Sequence, residues 1–484
     1  MESGQRRGPS AASNRNPQVC LAECGSVVEE LQIVGTDGES ELARVRKRDD
    51  ASRKALLYSR FYGGKIGTAP KVPVRSLDDF SVWYTPGVGA VSEAIEANTD
   101  RSFEYTNRWN TIAIVTDGSR VLGLGKIGPE AALPVMEGKA LIYKYLGGVD
   151  AYPLPIRVDT EDKFITTVEA LEPSLGGVNL EDIESPKCFE ILERLRAEMR
   201  IPVWHDDQQG TAGVILAALF NALELTGRKL RGAKIVLFGA GAANVAAARL
   251  LKDAGCDPAD LIVVDSKGIL HPEREDIDQL LLRNRWKYDL AITTNGGRRT
   301  GGLRDALDGA DVLVAAAGQG PDLVQKGDVM RMNKHAITFF LANPVPEMWP
   351  ADALKAGAEI VATGRSDFPN QVNNSVLFPA IFRGALDVRA RTITDAMVIA
   401  AAKELANFAK EKGLVRDRIL PTMLDWRVFP RVAAALGVQA QKDGQARRRA
   451  SRKQLELEAT AIIGQSRKAM QSLMRSGVIS ESPG

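Results

Sequence analysis

Ala233-Lys234-Ile235-Val236-Leu237-Phe238-Gly239-Ala240-Gly241-Ala242-Ala243-Asn244 is the stretch that decides the fold. Its first half is an apolar run with β-branched residues, the pattern of a strand buried on both faces. Its second half is a glycine turn, and the alanine-rich run from Val245 to Ala254 reads as a helix. Leu261-Ile262-Val263-Val264-Asp265 then reads as a second strand ending in an acid. Strand, glycine turn, helix, strand and terminal acid make one βαβ unit. Gly239 and Gly241 let the backbone turn tightly and approach a pyrophosphate, which the helix N-terminus would stabilise through its free N–H groups. Asp265 stands where an acid accepts a ribose 2′-hydroxyl and repels a 2′-phosphate, while Ser266 and Lys267 beside it could accommodate one. Asn244 occupies the third glycine position, where a side chain is expected to push the helix away from the strand. Further strands are expected at Val312–Ala316, Ile337–Leu341 and Glu359–Ala362. Residues 215–375 therefore read as a Rossmann-type, doubly wound parallel-sheet domain that binds NAD, with NADP possible.

Upstream, two pairs of acids each end a short apolar run. Glu181-Asp182 follows Gly177–Leu180, and Asp206-Asp207 follows Ile201–Trp204. A helix-start signal comes after each, Ser185-Pro186 and Thr211. In an open α/β sheet, ligands bind at the carboxyl ends of strands. Four carboxylates from two neighbouring strand ends repel one another unless a cation lies between them. Oxygen-only ligation suits Mg²⁺ or Mn²⁺ better than zinc. Around these pairs the pattern predicts helices over Ala51–Tyr62, Gly89–Ala97 and Pro134–Tyr145, a buried strand at Thr111–Thr116, and a strand and turn at Arg120–Gly125. Residues 51–214 thus read as a substrate- and metal-binding α/β domain. Residues 1–50 read as a flexible extension with one short element at Val27–Val34. Residues 376–484 read as a helical return that packs on the first domain, followed by a basic C-terminal extension. There Arg447-Arg448-Arg449-Ala450-Ser451-Arg452-Lys453 is expected to be solvated, ahead of an amphipathic segment from Gln454 to Met474.

At 484 residues the chain exceeds one core and calls for two or three domains. A net charge of +2 argues against a nucleic-acid partner or a membrane surface. Cys20, Cys24, Cys188 and Cys256 show no CxxC pairing, which fits free thiols and a cytoplasmic location. No apolar run approaches the roughly 18 residues needed to span a bilayer. Only His205, His271 and His335 are present, so a general base is expected to be Lys, Tyr, Asp or Glu.

Several motifs, in order over roughly residues 55 to 410, together resemble the malic enzymes, the shorter bacterial-type members most. They are Tyr84-Thr85-Pro86-Gly87-Val88, Thr116-Asp117-Gly118, Gly123-Leu124-Gly125, Pro134-Val135-Met136-Glu137-Gly138-Lys139, Asn179-Leu180-Glu181-Asp182-Ile183 and His205-Asp206-Asp207-Gln208. Ala342-Asn343-Pro344, Asn370-Gln371-Val372-Asn373-Asn374 and Phe382-Arg383-Gly384-Ala385-Leu386-Asp387 complete the set. The resemblance implies oxidative decarboxylation of L-malate to pyruvate and CO₂ with reduction of NAD(P). It implies Lys139 as the base for the C2 hydroxyl, Asp206 as its charge partner, and Tyr84 as the acid that protonates the enol carbon. It further implies Glu181, Asp182 and Asp207 as ligands of Mg²⁺ or Mn²⁺, Arg120 as a carboxylate clamp, and Asn343 and Asn374 as hydrogen-bonding groups for the substrate, with Asn343 also near the dinucleotide. A homodimer or higher homo-oligomer is implied as well. The chain departs from the family pattern at Lys126, where Asp or Asn is usual, at Gln209, where histidine is usual, at Asn244, and at Ser375 after the Asn pair. The segment Ala316–Pro321 is only loosely like the family's nicotinamide-side turn. Other readings are a malolactic relative that yields lactate, an inactive nucleotide-sensing member, and an amino-acid dehydrogenase, which would be insensitive to EDTA.

Overall fold

Thr111–Thr116 forms strand β1, and all six of its residues are buried. A strand covered on both faces has no need of alternation, which explains its unbroken apolar run. In the computed structural model, which describes residues 38–483 except Leu122 and side chains from Asp50 onward, β1 lies inside a four-stranded parallel sheet. Its order is β2 (Asp150–Pro155), β1, β3 (Gly177–Leu180), β4 (Val203–His205). Leu180 pairs with His205, so the two acid pairs leave the carboxyl ends of adjacent strands. The expected element at Val27–Val34, and Cys20 and Cys24, lie outside the described residues. A helix over Gly38–Tyr62 starts well before the expected Ala51.

The second sheet holds β5 (Ile235–Phe238), β6 (Leu261–Asp265), β7 (Gly268–Ile269), β8 (Val312–Ala315), β9 (Ala336–Phe340) and β10 (Ala358–Thr363). Their order is β10-β9-β8-β5-β6-β7, parallel except for β7. The chain leaves β5 for β6 on one side and later crosses to β8 on the other. That reversal between β5 and β8 opens the crevice in which such sheets take ligands. Gly239, at φ +97°, turns the chain there, and a Cβ on it would stand 2.4 Å from the Ala316 carbonyl oxygen. Only glycine allows so close an approach.

Two expectations are corrected, and one strand is added to those the sequence predicts. Arg120–Gly125 is no strand; Val121 and Gly125 merely close a tight turn. Strand β2 was not foreseen, because Asp150-Ala151-Tyr152-Pro153-Leu154-Pro155 carries two prolines, which only an edge strand tolerates. The basic run is not a solvated tail. Arg447 donates to the carbonyls of Arg389 and Arg200, Arg448 forks onto Glu458, and Ser451 caps the helix Arg452–Arg475.

The helix Phe378–Asp387 is buried along its whole length, and the rings of Phe378 and Phe382 lie 4.6 and 5.6 Å from Tyr143. Within it, fully buried Arg383 bonds to Asp387 at 2.9 Å and to Asn110 at 2.6 Å. This ties the C-terminal helices beneath the first sheet. The helices Asp395–Glu411 and Val428–Lys442 continue that layer, and Ser466 of the last helix donates to the Lys144 carbonyl at 2.7 Å. Among the described residues no helix is long and apolar enough to cross a membrane.

Candidate active site

Pro129 opens the helix Pro129–Ile142, suited to the first turn by its fixed φ and missing N–H. This helix starts earlier than the expected Pro134, and its inner face carries Lys139. The Lys139 side chain is buried, with Nζ over the Phe378 ring at 4.4 Å. Nζ donates to Glu181 Oε2 at 2.6 Å and to Asp206 Oδ2. Burial disfavours the ammonium, but Asp206, Glu181 and Asp207 override it and hold Lys139 above its ordinary pKa. The amine is therefore charged here, not depressed as a base would require.

Asp206 and Asp207 stand in a wide π-helical turn, Asp206–Gly210, directly after β4. Such turns recur at functional sites. Asp206 is fully buried, and Trp204 Nε1 donates to its Oδ1 at 3.0 Å. Gly210 cannot be replaced in this turn, because a Cβ on it would stand 1.9 Å from Asp206 Oδ1 and 3.3 Å from the Asn374 Cβ. Asn374 is thus placed beside the lysine–acid cluster. Glu181 is held from the other side: Asn179 Nδ2 donates to its Oε2 at 2.9 Å, and Tyr143 donates to Asn179 Oδ1 at 2.7 Å. Burial raises the carboxyls of Glu181 and Asp206 above their ordinary range despite Lys139.

Carboxylate oxygens of Glu181, Asp182 and Asp207 lie within 4.8 Å of one another. Asp182 adopts φ +54°, a left-handed conformation seen more often in Asp and Asn than in other side chains. Its N–H donates to Asp207 Oδ2 at 2.8 Å, and its carbonyl accepts from the Arg120 N–H at 3.0 Å. Three hard oxygen donors, two of them buried, so close together fit a divalent cation that offsets their like charge. Arg120 therefore begins its turn on the rim of this cluster, with its side chain exposed. His205 is buried, neither ring nitrogen has a hydrogen-bond partner, and burial lowers its pKa to about 4, so it is neutral. Gln209, at the position of a usual histidine, accepts from the His205 N–H at 3.1 Å.

Tyr84 is not drawn into the cluster. It ends the helix Leu77–Trp83 with 71% of its surface exposed, beside exposed Leu77, Phe80, Val82 and Trp83. Asn343 is exposed in the loop after β9. A Cβ on Gly123 would meet Gln319 Nε2 and lie 3.0 Å from the Asn343 carbonyl oxygen, so the Val121–Gly125 turn touches both nucleotide-side loops.

At the nucleotide side, Gly239 and Gly241 lead into the helix Ala242–Asp253, with Gly241 at its N-cap. Asn244 is fully buried and turns toward the sheet, where Nδ2 donates to the carbonyls of Phe238 and Gly239, both at 2.9 Å. Its amide fills the gap that a third glycine would close, which answers the expected displacement of the helix. Asp265 is not a free acid. Arg274 Nη1 and the Lys267 N–H donate to its Oδ1 at 3.0 and 2.9 Å, and Lys287 lies 3.4 Å from Oδ2. The expected repulsion of a 2′-phosphate is therefore offset by paired cations, with exposed Ser266 alongside. Sequence reading missed Tyr143, Asn179, Trp204, Gly210, Arg274 and Lys287. Asn179 and Trp204 sit beside the acids within the quoted motifs, but buried strand positions give no sign of which way an amide or indole points. Cys188 and Cys256 are free and buried, with thiols pushed up to about 12 and about 11, so neither is a nucleophile.

Comparison with known proteins matches two family models: malic enzyme, N-terminal domain over residues 63–196, and malic enzyme, NAD-binding domain over residues 208–441. The bifunctional malic/malolactic enzyme of Bacillus subtilis is 46% identical over 81% of this chain and 94% of its own length. The NAD-dependent malic enzyme of Geobacillus stearothermophilus is 44% identical over 80% of this chain and 78% of its own. The crystal structure of Entamoeba histolytica malic enzyme superposes with a TM-score of 0.89 at 43% identity, covering 92% of each chain.

Proposed function

The chain belongs to the malic enzyme family, and we propose that it oxidatively decarboxylates L-malate to pyruvate and CO₂ with reduction of NAD(P), dependent on a divalent metal. The observation that carries this reading is Lys139 clamped by Asp206 and Glu181 at the ends of adjacent strands β3 and β4, beside the triad Glu181, Asp182 and Asp207. Glu181, Asp182 and Asp207 would hold Mg²⁺ or Mn²⁺. Bound there, NAD(P) would supply a hydride acceptor and the divalent ion a Lewis acid whose charge would also offset the carboxylates that keep Lys139 an ammonium. With its own proton released once the carboxylates are offset in this way, the neutral Lys139 amine takes the proton of the C2 hydroxyl, and Asp206, fixed by Trp204, aims it. Arg120 and Asn374, both on the rim of the cluster, bind the substrate's polar ends, and Arg120 suits a carboxylate by its planar fork. Asn343 contributes from the dinucleotide side.

Tyr84 returns a proton to the enol carbon in this reading. A homodimer that covers the exposed Leu77–Tyr84 face would take the phenol out of bulk water, as a proton donor to carbon requires. Sedimentation should give twice the chain mass; a monomer at working concentration would rule this out.

The direct test is absorbance at 340 nm with L-malate, Mn²⁺ and either NAD or NADP, with pyruvate and lactate assayed alongside. The expected result is NAD(P)H with equimolar pyruvate, lost on adding EDTA. Lactate without NAD(P)H would instead identify malolactic chemistry. In the same assay Asp207→Ala should raise the Mn²⁺ needed for half-maximal rate at least tenfold (about 1.4 kcal/mol). An unchanged titration would remove Asp207 from the metal site.

A further inference from the structure

Among the buried acids outside the lysine–acid cluster, Glu347 is the most deeply enclosed and has no part in the proposed chemistry. Glu347 is fully buried in the loop after β9. Its Oε1 accepts the Ala317 N–H at 3.0 Å and its Oε2 accepts the Ala342 N–H at 3.1 Å. Its own carbonyl accepts the Val324 N–H at 3.1 Å. Burial pushes the carboxyl up to about 7, against the pull of backbone donors at Ala342, Glu347, Ala317 and Gly318.

Burying a carboxylate in this way is costly unless its acceptors are needed. Here they are. Strands β8 and β9 are paired as far as Ala315 and Phe340, and the Leu341 N–H still reaches the Ala315 carbonyl. Beyond that point the two loops diverge, and Glu347 joins Ala317 of one to Ala342 of the other. A carboxylate offers acceptors on both oxygens and no donor, which suits two N–H groups; glutamine would turn a donor toward one of them. The joined residues sit at critical places. A Cβ on Gly239 would lie 2.7 Å from the Ala317 Cα, so Ala317 packs against the pyrophosphate turn. Ala342 directly precedes Asn343, which meets the Val121–Gly125 turn.

We infer that Glu347 is a positioning residue for the nicotinamide half of the dinucleotide, bracing the loop after β8 against the loop after β9. This rests on the reading that NAD(P) lies across the reversal between β5 and β8. The test compares Glu347→Gln with the wild-type enzyme by calorimetric binding of NAD(P) and of adenosine 5′-monophosphate. The variant should bind NAD(P) on the order of tenfold more weakly, the cost of a buried N–H left without its acceptor. Its affinity for adenosine monophosphate, held at the Asp265 end, should stay within twofold. Unchanged NAD(P) binding, or an equal loss for both ligands, overturns the inference. Failure of the wild type to bind NAD(P) overturns the underlying reading instead. If the variant does not fold, amide exchange in the wild type decides. Slow exchange at both Ala317 and Ala342 supports the brace, and fast exchange at either overturns it.

Discussion

Lys139→Ala is expected to lower kcat for malate oxidation by about 10²- to 10⁴-fold, the usual contribution of a positioned proton acceptor. NAD(P) affinity should stay within twofold, because the lysine lies on the helix Pro129–Ile142 beside the first sheet, whereas the glycine turn follows β5 of the second. The size of the effect follows from the surroundings. His205 is the nearest histidine in sequence to the acids, but burial keeps it neutral and its ring nitrogens make no hydrogen bond. No other amine bonds to both Asp206 and Glu181 among the described residues. Lys139→Arg separates charge from proton transfer. It preserves the positive charge between the two acids, yet a guanidinium does not deprotonate in the working range. Both variants should therefore fail, the arginine one with the cluster's charge intact. Steady-state turnover within tenfold of wild type in Lys139→Ala would remove Lys139 as the base.

Arg383→Ala should destabilise the protein by about 3–5 kcal/mol, the cost of stripping one partner from a buried ion pair. Arg383 is fully enclosed, bonded through Nε to Asp387 and through Nη1 to Asn110, with its guanidinium 5.6 Å from the Trp109 ring centre. Removing it leaves Asp387, already pushed above its ordinary pKa by burial and only partly held down by Arg383, without its main counter-charge. Asn110 Oδ1 loses its guanidinium donor in the same step, and the Nδ2 bonds to Gly148 and Asp150 then brace the first sheet alone. Replacing both members, Arg383→Met with Asp387→Leu, should recover most of the loss, because the desolvation of two charges disappears together. Urea unfolding of the three proteins checks this. A loss below 1 kcal/mol in Arg383→Ala would show that the pair contributes little.

Much of this architecture was legible because its signals are one-dimensional. Strands β1 and β5 are short apolar runs containing β-branched residues, and being largely buried leaves them few other readings. The two acid pairs follow such runs at matching places, so a shared site could be inferred before β3 and β4 were seen to pair. The illegible parts depend on contacts between distant segments. Asp265 reads as a free acid until the chain brings Arg274 and Lys287 back to it. Asn244 reads as a flaw in a glycine motif until its amide is seen to satisfy the carbonyls of Phe238 and Gly239. Arg120–Gly125 alternates like a strand, yet it has no neighbour to pair with and closes on itself. Arg447 and Arg448 look like a solvated charge run because nothing nearby in sequence announces Arg200 or Glu458. Tyr84 shows a different limit: a motif can name a residue's chemistry without saying what surface covers it.

The reversal between β5 and β8 also sets an order of events during folding. Ile235 of β5 pairs with Leu261 on one edge and with Val312 on the other. The first edge closes after one short helix, whereas the second waits for β6, β7 and the helices beyond them to be made. Contacts so separated along the chain form slowly, because loop closure must precede them. On the ribosome, Ile235-Val236-Leu237-Phe238 therefore presents a bare apolar edge until Val312–Ala315 emerges, the kind of edge that recruits other nascent chains. Expression yield should thus respond to translation speed between these strands more than to the stability of the finished enzyme.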